Sequence, residues 1–157
     1  EGGAGDDAVT TGSGNDLVLA SRGNDLIYGG SGQDTINLDT GRETVIGGYG
    51  ADTIVDGNTS IDTFVYLSTL DTGDTIQGFS GANIFDFSAI DANTAIAGND
   101  AVAFVATQTA GIVANSVTWH QANGKTYIHA DVNGDAVSDL DITLDSLVTL
   151  TAAHFVL

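Results

Sequence analysis

Cut from residue 2 in steps of nine, the start of the chain reads GGAGDDAVT, TGSGNDLVL, ASRGNDLIY, GGSGQDTIN, LDTGRETVI and GGYGADTIV. The fourth place is glycine in all six copies: Gly5, Gly14, Gly23, Gly32, Gly41 and Gly50. The sixth is always acidic: Asp7, Asp16, Asp25, Asp34, Glu43 and Asp52. The eighth is always Val or Ile: Val9, Val18, Ile27, Ile36, Val45 and Ile54. A seventh, slipped copy ends the series at Asp62-Thr63-Phe64. A repeat this short cannot bury a core of its own, so its copies must stack.

Each column has a physical meaning. Glycine permits positive φ and lets carbonyls converge in a tight turn. The carboxylate faces that turn, and the β-branched residue two places on enters a core, as strand alternation requires. One copy is half a coil, and two copies close it. Successive coils then lie about 4.8 Å apart as parallel strands. Copies of equal parity fall above one another, which predicts two carboxylate ladders. One holds Asp7, Asp25 and Glu43; the other holds Asp16, Asp34 and Asp52. The fold class expected is all-β, a parallel β-roll.

Stacked carboxylates repel unless a cation lies between them. Oxygen donors without Cys or His select Ca²⁺ or Mg²⁺ over transition metals. Convergent carbonyls in flexible turns favour Ca²⁺, which accepts 6–8 oxygens in loose geometry, whereas Mg²⁺ wants a strict octahedron. Composition agrees. Only 3 Lys or Arg stand against 21 Asp or Glu, a net charge of −18. That balance argues against nucleic acid, which is bound by clustered cations, and against anionic membrane. A hydrophobic fraction of 42% is too high for an acidic disordered tail. With no Cys, disulfides and thiolate metal sites are excluded. The absence of Met leads us to expect a fragment or processed piece whose upstream part holds any enzyme. No apolar run approaches the ~18 residues that span a bilayer.

The pattern G-G-x-G-x-D-x-U-x, with U apolar, resembles the RTX calcium-binding nonapeptide and its parallel β-roll. Farther on, Asp62-Thr63-Phe64-Val65-Tyr66, Gly73-Asp74-Thr75-Ile76-Gln77-Gly78-Phe79 and Ile84-Phe85-Asp86-Phe87-Ser88-Ala89-Ile90 are similar to the C-terminal region of serralysin-type proteases exported by type I secretion. The resemblance implies calcium held by main-chain oxygens at places 1 and 3 of one turn, 2 and 4 of the turn two copies on, and both place-6 carboxylates. Carried onto this chain, one site joins Gly29, Ser31 and Asp34 to Gly48, Gly50 and Asp52. A second joins Thr11, Ser13 and Asp16 to Gly30, Gly32 and Asp34. A third joins Gly2, Ala4 and Asp7 to Ser21, Gly23 and Asp25. Glu43 and Asp62 are further ligands, giving three to five ions. Two copies depart from the pattern: Ala20-Ser21 and Leu38-Asp39 replace paired glycines, Arg22 and Arg42 bring charge, and the longer Glu43 side chain weakens the 25/43 site.

Fourteen of the 21 glycines lie in residues 1–57, so we expect a boundary near 56–60. Residues 1–60 would be the roll and 61–157 an apolar, β-sandwich-like cap carrying the secretion region. Strand-like runs fall at Thr63–Leu67, Thr75–Phe79, Ile84–Phe87, Ala101–Ala106, Ser116–His120, Thr126–Val132, Leu140–Leu144 and His154–Leu157. A solenoid needs such a cap to cover its last coil. Asp131, Asn133, Asp135 and Asp139 match places 1, 3, 5 and 9 of an EF-hand loop. However, Ala136 replaces its glycine and Ile142 its bidentate Glu. A hairpin turned at Asn133-Gly134 is the preferred reading. His120, His129 and His154 stand singly in sequence, and Trp119 is expected in the core. No nucleophile elbow, zincin motif or phosphate loop is present, so this piece is not expected to be an enzyme.

The expected function is a calcium-binding module of a bacterial protein that leaves by type I secretion and folds on meeting calcium outside. Its partners would be calcium and the secretion machinery, and its place extracellular or on the cell surface. Two rivals stand beside it: a surface-layer or adhesin module that self-assembles on cells, and an accessory module of a secreted protease, lipase or polysaccharide-modifying enzyme. The related export signal ends in an acid before a short apolar terminus. Here Ala152-Ala153-His154-Phe155-Val156-Leu157 has His in the acid's place.

Overall fold

The computed structural model describes residues 1–57, 59–91 and 102–157. Each nonapeptide gives one turn and one strand at its apolar end, and the turns of the first and third copies add a two-residue strand each. In order these are β1 (Gly3–Ala4), β2 (Ala8–Ser13), β3 (Leu17–Leu19), β4 (Ser21–Arg22), β5 (Leu26–Ser31), β6 (Thr35–Asn37), β7 (Thr44–Tyr49) and β8 (Thr53–Val55). Copies of equal parity pair in parallel. Val9, Ile27 and Val45 align on one sheet, and Val18, Ile36 and Ile54 on the other. The eighteen-residue coil and both ladders' geometry follow from this register.

The stack continues through residue 60. β9 (Thr63–Val65) pairs with β7, β10 (Asp74–Gln77) with β8, and β11 (Ile84–Asp86) with β9, all parallel. The fall in glycine content near 56–60 coincides with no break in either sheet. What changes there is turn length: acids that recur every eighteen residues reach Asp62 after nineteen on one ladder and Asp74 after twenty-two on the other.

After β11 the chain leaves the roll and builds β12 (Ala103–Phe104), β13 (Ser116–Ala122) and β14 (Lys125–Asp131). It then returns through β15 (Leu140–Leu144), a 3-10 turn at Ala152–His154 and β16 (Phe155–Val156). β15 lies parallel to β10 and takes the next place in its sheet, while β16 does the same beside β11. The result is a six-stranded sheet, β16-β11-β9-β7-β5-β2, facing an eight-stranded one, β12-β13-β14-β15-β10-β8-β6-β3. β13, β14 and β15 are antiparallel neighbours and lengthen the second sheet beyond the roll. Asn123 and Gly124, both at positive φ, turn the first hairpin. The eight anticipated runs each overlap an observed strand, with ends differing by up to two residues; Ala101 of the fourth lies outside the described residues.

The core changes character along the axis. Val18, Ile27, Ile36, Val45 and Ile54 fill the first coils, joined by Ala20 and Leu38. Farther on, Phe64, Phe79, Phe85, Phe87 and Phe155 take over, with Phe79 stacked on Phe85 at 5.2 Å and Phe85 on Phe155 at 5.5 Å. Aromatic side chains bury far more area than Val or Ile, so apolar burial holds the C-terminal coils more firmly than the N-terminal ones. In saturating calcium, Phe85→Ala is expected to cost about 3–5 kcal/mol and Ile27→Val only about 0.5–1.5 kcal/mol. Urea unfolding monitored by fluorescence and circular dichroism checks both; equal losses would contradict this division of the core.

Candidate metal centre

The turns of each edge stack in register. Gly12, Gly30 and Gly48 align, as do Ser13, Ser31 and Tyr49. On the opposite edge Gly3 meets Ser21 and Ala4 meets Arg22. Gly30 shows why the second place favours glycine: its φ is +105°, and a Cβ there would stand 1.9 Å from the Gly12 carbonyl oxygen. Ser21 holds the same conformation at φ 72° in the third copy. The place-4 amide donates to the place-3 carbonyl one coil on, Gly14 to Ser31 and Gly32 to Tyr49, both at 2.8 Å.

The place-6 carboxylates make the ladders. Asp34 Oδ1 accepts the Asp16 N–H at 2.8 Å, and Asp52 Oδ1 accepts the Asp34 N–H at 2.8 Å. On the other edge Asp25 Oδ1 takes the Asp7 N–H at 2.9 Å, and Asp62 Oδ1 takes the Glu43 N–H at 3.0 Å. Asp25, Asp34, Asp52 and Asp62 thereby each spend one oxygen on a backbone donor. Other oxygens find none: Oδ2 of Asp7, Asp16, Asp25, Asp34 and Asp52 is buried with no hydrogen-bond donor. A buried anionic oxygen without a partner is among the costliest groups a fold can hold. For Asp7, Asp34 and Asp52 that oxygen faces the glycine at the first place of its own turn, where a side chain would crowd it. A Cβ on Gly29 would lie 2.7 Å from Asp34 Oδ2.

This arrangement fits a hard divalent cation. No three acidic or histidine side chains close on one point among the described residues, so main-chain oxygens of the turns must supply most of any coordination shell. Oxygen-only donors in glycine turns suit Ca²⁺. The three groups of residues named from the sequence are brought together as pairs of stacked turns: 29–34 with 48–52, 11–16 with 30–34, and 2–7 with 21–25.

Both ladders run beyond the copies recognised in the sequence. Asp74 Oδ1 accepts the Asp52 N–H at 2.8 Å, and Asn83 Oδ1 accepts the Asp62 N–H at 2.9 Å. The signal was present as an acid or amide followed two places on by an apolar residue, in Asp74-Thr75-Ile76 and Asn83-Ile84-Phe85. Longer turns had broken the nine-residue spacing. A second, exposed ladder at the fifth place was also missed: Asp6, Asn15 and Asn24 accept the backbone N–H of Asn24, Gln33 and Arg42 at 2.8–2.9 Å.

The electrostatics of the Asp52 edge are unbalanced. Burial pushes the Asp52 carboxyl up to about 6, helped by the charges of Asp34 and Asp71 and opposed by the Asp34 amide. Burial likewise lifts Asp74 to about 7, with Asp52 and Asp71 adding repulsion and Tyr66 relieving some of it. A cation beside such crowded acids favours their charged forms.

The other candidates resolve differently. β14 and β15 pair as the expected hairpin, but residues 132–139 join them as a long loop and not as a tight turn at Asn133-Gly134. The buried Asp131 accepts backbone N–H groups of Asn133 at 3.1 Å and Gly134 at 2.6 Å, so its oxygens serve the turn. Two of the three histidines meet across strands: His120 stacks on His129 at 5.3 Å and on Tyr127 at 5.0 Å, and His129 pairs with Asp141 at 2.6 Å. Strand pairing, invisible in the linear spacing, makes them neighbours. Trp119 is buried, and His154 is buried against Phe79.

Comparison with known proteins adds the family. Residues 1–36 match the RTX calcium-binding nonapeptide repeat, and residues 29–157 match the peptidase M10 serralysin C-terminal family. No curated protein sequence matches the chain. Among the solved structures that resemble it are two subunits of the Azotobacter vinelandii mannuronan C5-epimerase. The AlgE6R3 subunit shares 23% identity at a TM-score of 0.33, covering 99% of this chain and 80% of its own. The AlgE6R2 subunit shares 18% identity at a TM-score of 0.41, covering 96% and 90%. The stacked nonapeptide turns and the match over most of its length agree: the chain belongs to the serralysin C-terminal family, with RTX calcium-binding repeats at its N-terminal end.

Proposed function

We propose that this chain is the calcium-responsive module of a secreted bacterial protein, its nonapeptide repeats disordered at the low calcium of the cell and folded outside it. It carries no catalysis of its own and passes through a type I secretion channel before calcium orders it. The observation that carries this reading is the column of buried carboxylate oxygens without donors on both edges of the roll. Calcium supplies the charge that balances them; the chain's own part is to hold the carboxylates and carbonyls in stacked turns. The terminal residues are a paired strand in the folded state, so an export signal there is readable only before folding.

Extracellular sites of this kind have Kd of about 10⁻⁴–10⁻³ M. At about 2 mM calcium and a Kd of about 0.1 mM, each independent site stabilises the fold by about 1.8 kcal/mol. Three sites give about 5 kcal/mol, on the scale of a domain's whole stability. Far-UV circular dichroism in chelator and then in millimolar calcium is expected to show β-structure gained with calcium and not with equal magnesium. A roll complete in chelator, or formed equally by magnesium, would overturn the reading.

Two further outcomes are expected. Asp34 bridges Asp16 and Asp52, whereas Asp7 contacts only the Asp25 rung. Asp34→Ala is therefore expected to remove about twice the calcium-dependent stabilisation that Asp7→Ala removes, read as midpoints of parallel calcium titrations; equal midpoints count against a shared ligand. Deleting Phe155–Leu157 is expected to stop export through a matching transporter, measured as protein in the medium. Unchanged export would place the signal elsewhere.

A further inference from the structure

Asparagine is followed by glycine twice in the chain, at Asn123-Gly124 and Asn133-Gly134. In such a pair the backbone nitrogen of the glycine can attack the asparagine side-chain carbonyl carbon, because glycine puts no Cβ in the way. Exposure does not separate the two pairs, since all four residues are exposed. What separates them is how their amides are held.

Asn133 is tied on every side. Its Nδ2 donates to Asp139 Oδ1 at 3.0 Å, and its Oδ1 accepts the Asp135 N–H at 2.9 Å. The Gly134 N–H, which would be the nucleophile, donates to the buried Asp131 at 2.6 Å. A Cβ on Gly134 would stand 3.1 Å from the Asn115 side chain, so the loop is also packed there.

Asn123 has none of these restraints. With Gly124 it forms the middle of the hairpin between β13 and β14, at φ 53° and 79°. Ala122 pairs with Lys125 behind them. Among the described residues, neither the Asn123 side chain nor the Gly124 N–H has a hydrogen-bond partner. A Cβ on Gly124 would meet nothing within 4 Å. An exposed hairpin tip without tertiary contacts opens locally at low cost, which lets the two amides reach each other.

We propose that Asn123 is a site of spontaneous deamidation, with water as the only co-reactant, and that Asn133 is its shielded counterpart. The Gly124 nitrogen bonds to Asn123 Cγ, the Cγ–Nδ2 bond breaks, and ammonia leaves with the proton that Gly124 gives up. Water then opens the cyclic imide at either carbonyl, to aspartate or to isoaspartate. Both products carry a new carboxylate, and isoaspartate also lengthens the main chain by a methylene. A two-residue turn set by Asn-Gly does not keep its geometry with that extra atom. The damage has a direct route to the C-terminal segment. Beside the tip Gln121 pairs with Thr126. Gln121 Nε2 donates to the Val148 carbonyl at 2.9 Å, and the Val148 N–H donates to Thr126 Oγ1 at 2.9 Å. Isoaspartate at the tip therefore loosens the segment around Val148. The hairpin lies outside the carboxylate ladders, so the site stands apart from the calcium reading.

The test is storage of the full chain, folded in millimolar calcium, in mildly alkaline buffer at physiological temperature. Peptide mapping by mass spectrometry, with fragmentation that separates aspartate from isoaspartate, follows each asparagine. The same chain unfolded in urea is the reference. In urea both asparagines are expected to lose their amides; in the folded chain Asn123 loses its amide and Asn133 keeps it. Conversion of Asn133 as fast as Asn123 in the folded chain would overturn the proposal. So would an Asn123 that survives in the folded chain but converts in urea. Hydrogen exchange reads the consequence: the Val148 N–H is expected to exchange faster in the purified isoaspartate form than in fresh protein. Equal exchange in the two would overturn the link from the hairpin tip to the C-terminal segment.

Discussion

The roll depends on one electrostatic constraint: a carboxylate whose two oxygens have different fates. One oxygen accepts a backbone N–H from the neighbouring coil and so fixes the spacing and register of the stack. The other is left buried between turns with no donor. The hydrogen bond that aligns the coils therefore brings each acid to where its remaining charge is costly. Glycine in the turns allows this close approach, and the short strands between turns bury one β-branched side chain each. Apolar burial in the first coils is too sparse to offset a column of uncompensated anions. A net charge of −18 makes the same point for the whole chain.

Away from the repeats the balance reverses. Asn83 replaces the acid on one edge, aromatic rings fill the space between the sheets, and β13 to β15 extend one sheet by ordinary antiparallel pairing. Hydrophobic packing can hold this end without ions. The return of β15 and β16 into the two sheets joins it to the roll as a continuation of the same two layers. The molecule thus grades from coils governed by charge to coils governed by packing, with Asp52, Asp71 and Asp74 at the crossing point.

Much of this was legible in the sequence, because an exact nine-residue period states the register directly. The coil, the two ladders and the inward Val and Ile columns all follow from it. The run of strands after residue 60 was also readable from alternation and turn residues. What escaped was everything that depends on stacking rather than spacing. Asp74 and Asn83 continue the ladders, but lengthened turns hide them from any fixed period. His120 and His129 look isolated until β13 pairs with β14. The Asn123-Gly124 hairpin was a readable signal, since two positive-φ residues between alternating runs specify that turn.

The central claim is that cations between the turns, and not the hydrogen-bonded ladder alone, hold the repeats in register. Hydrogen exchange at the ladder amides themselves is the most direct measurement. The Asp16, Asp34 and Asp52 N–H groups are expected to be protected in millimolar calcium and to exchange freely in chelator. The amides of β14, which pair with β13 and β15, should stay protected in both. Undiminished protection of the three aspartate amides after calcium is withdrawn would contradict the account.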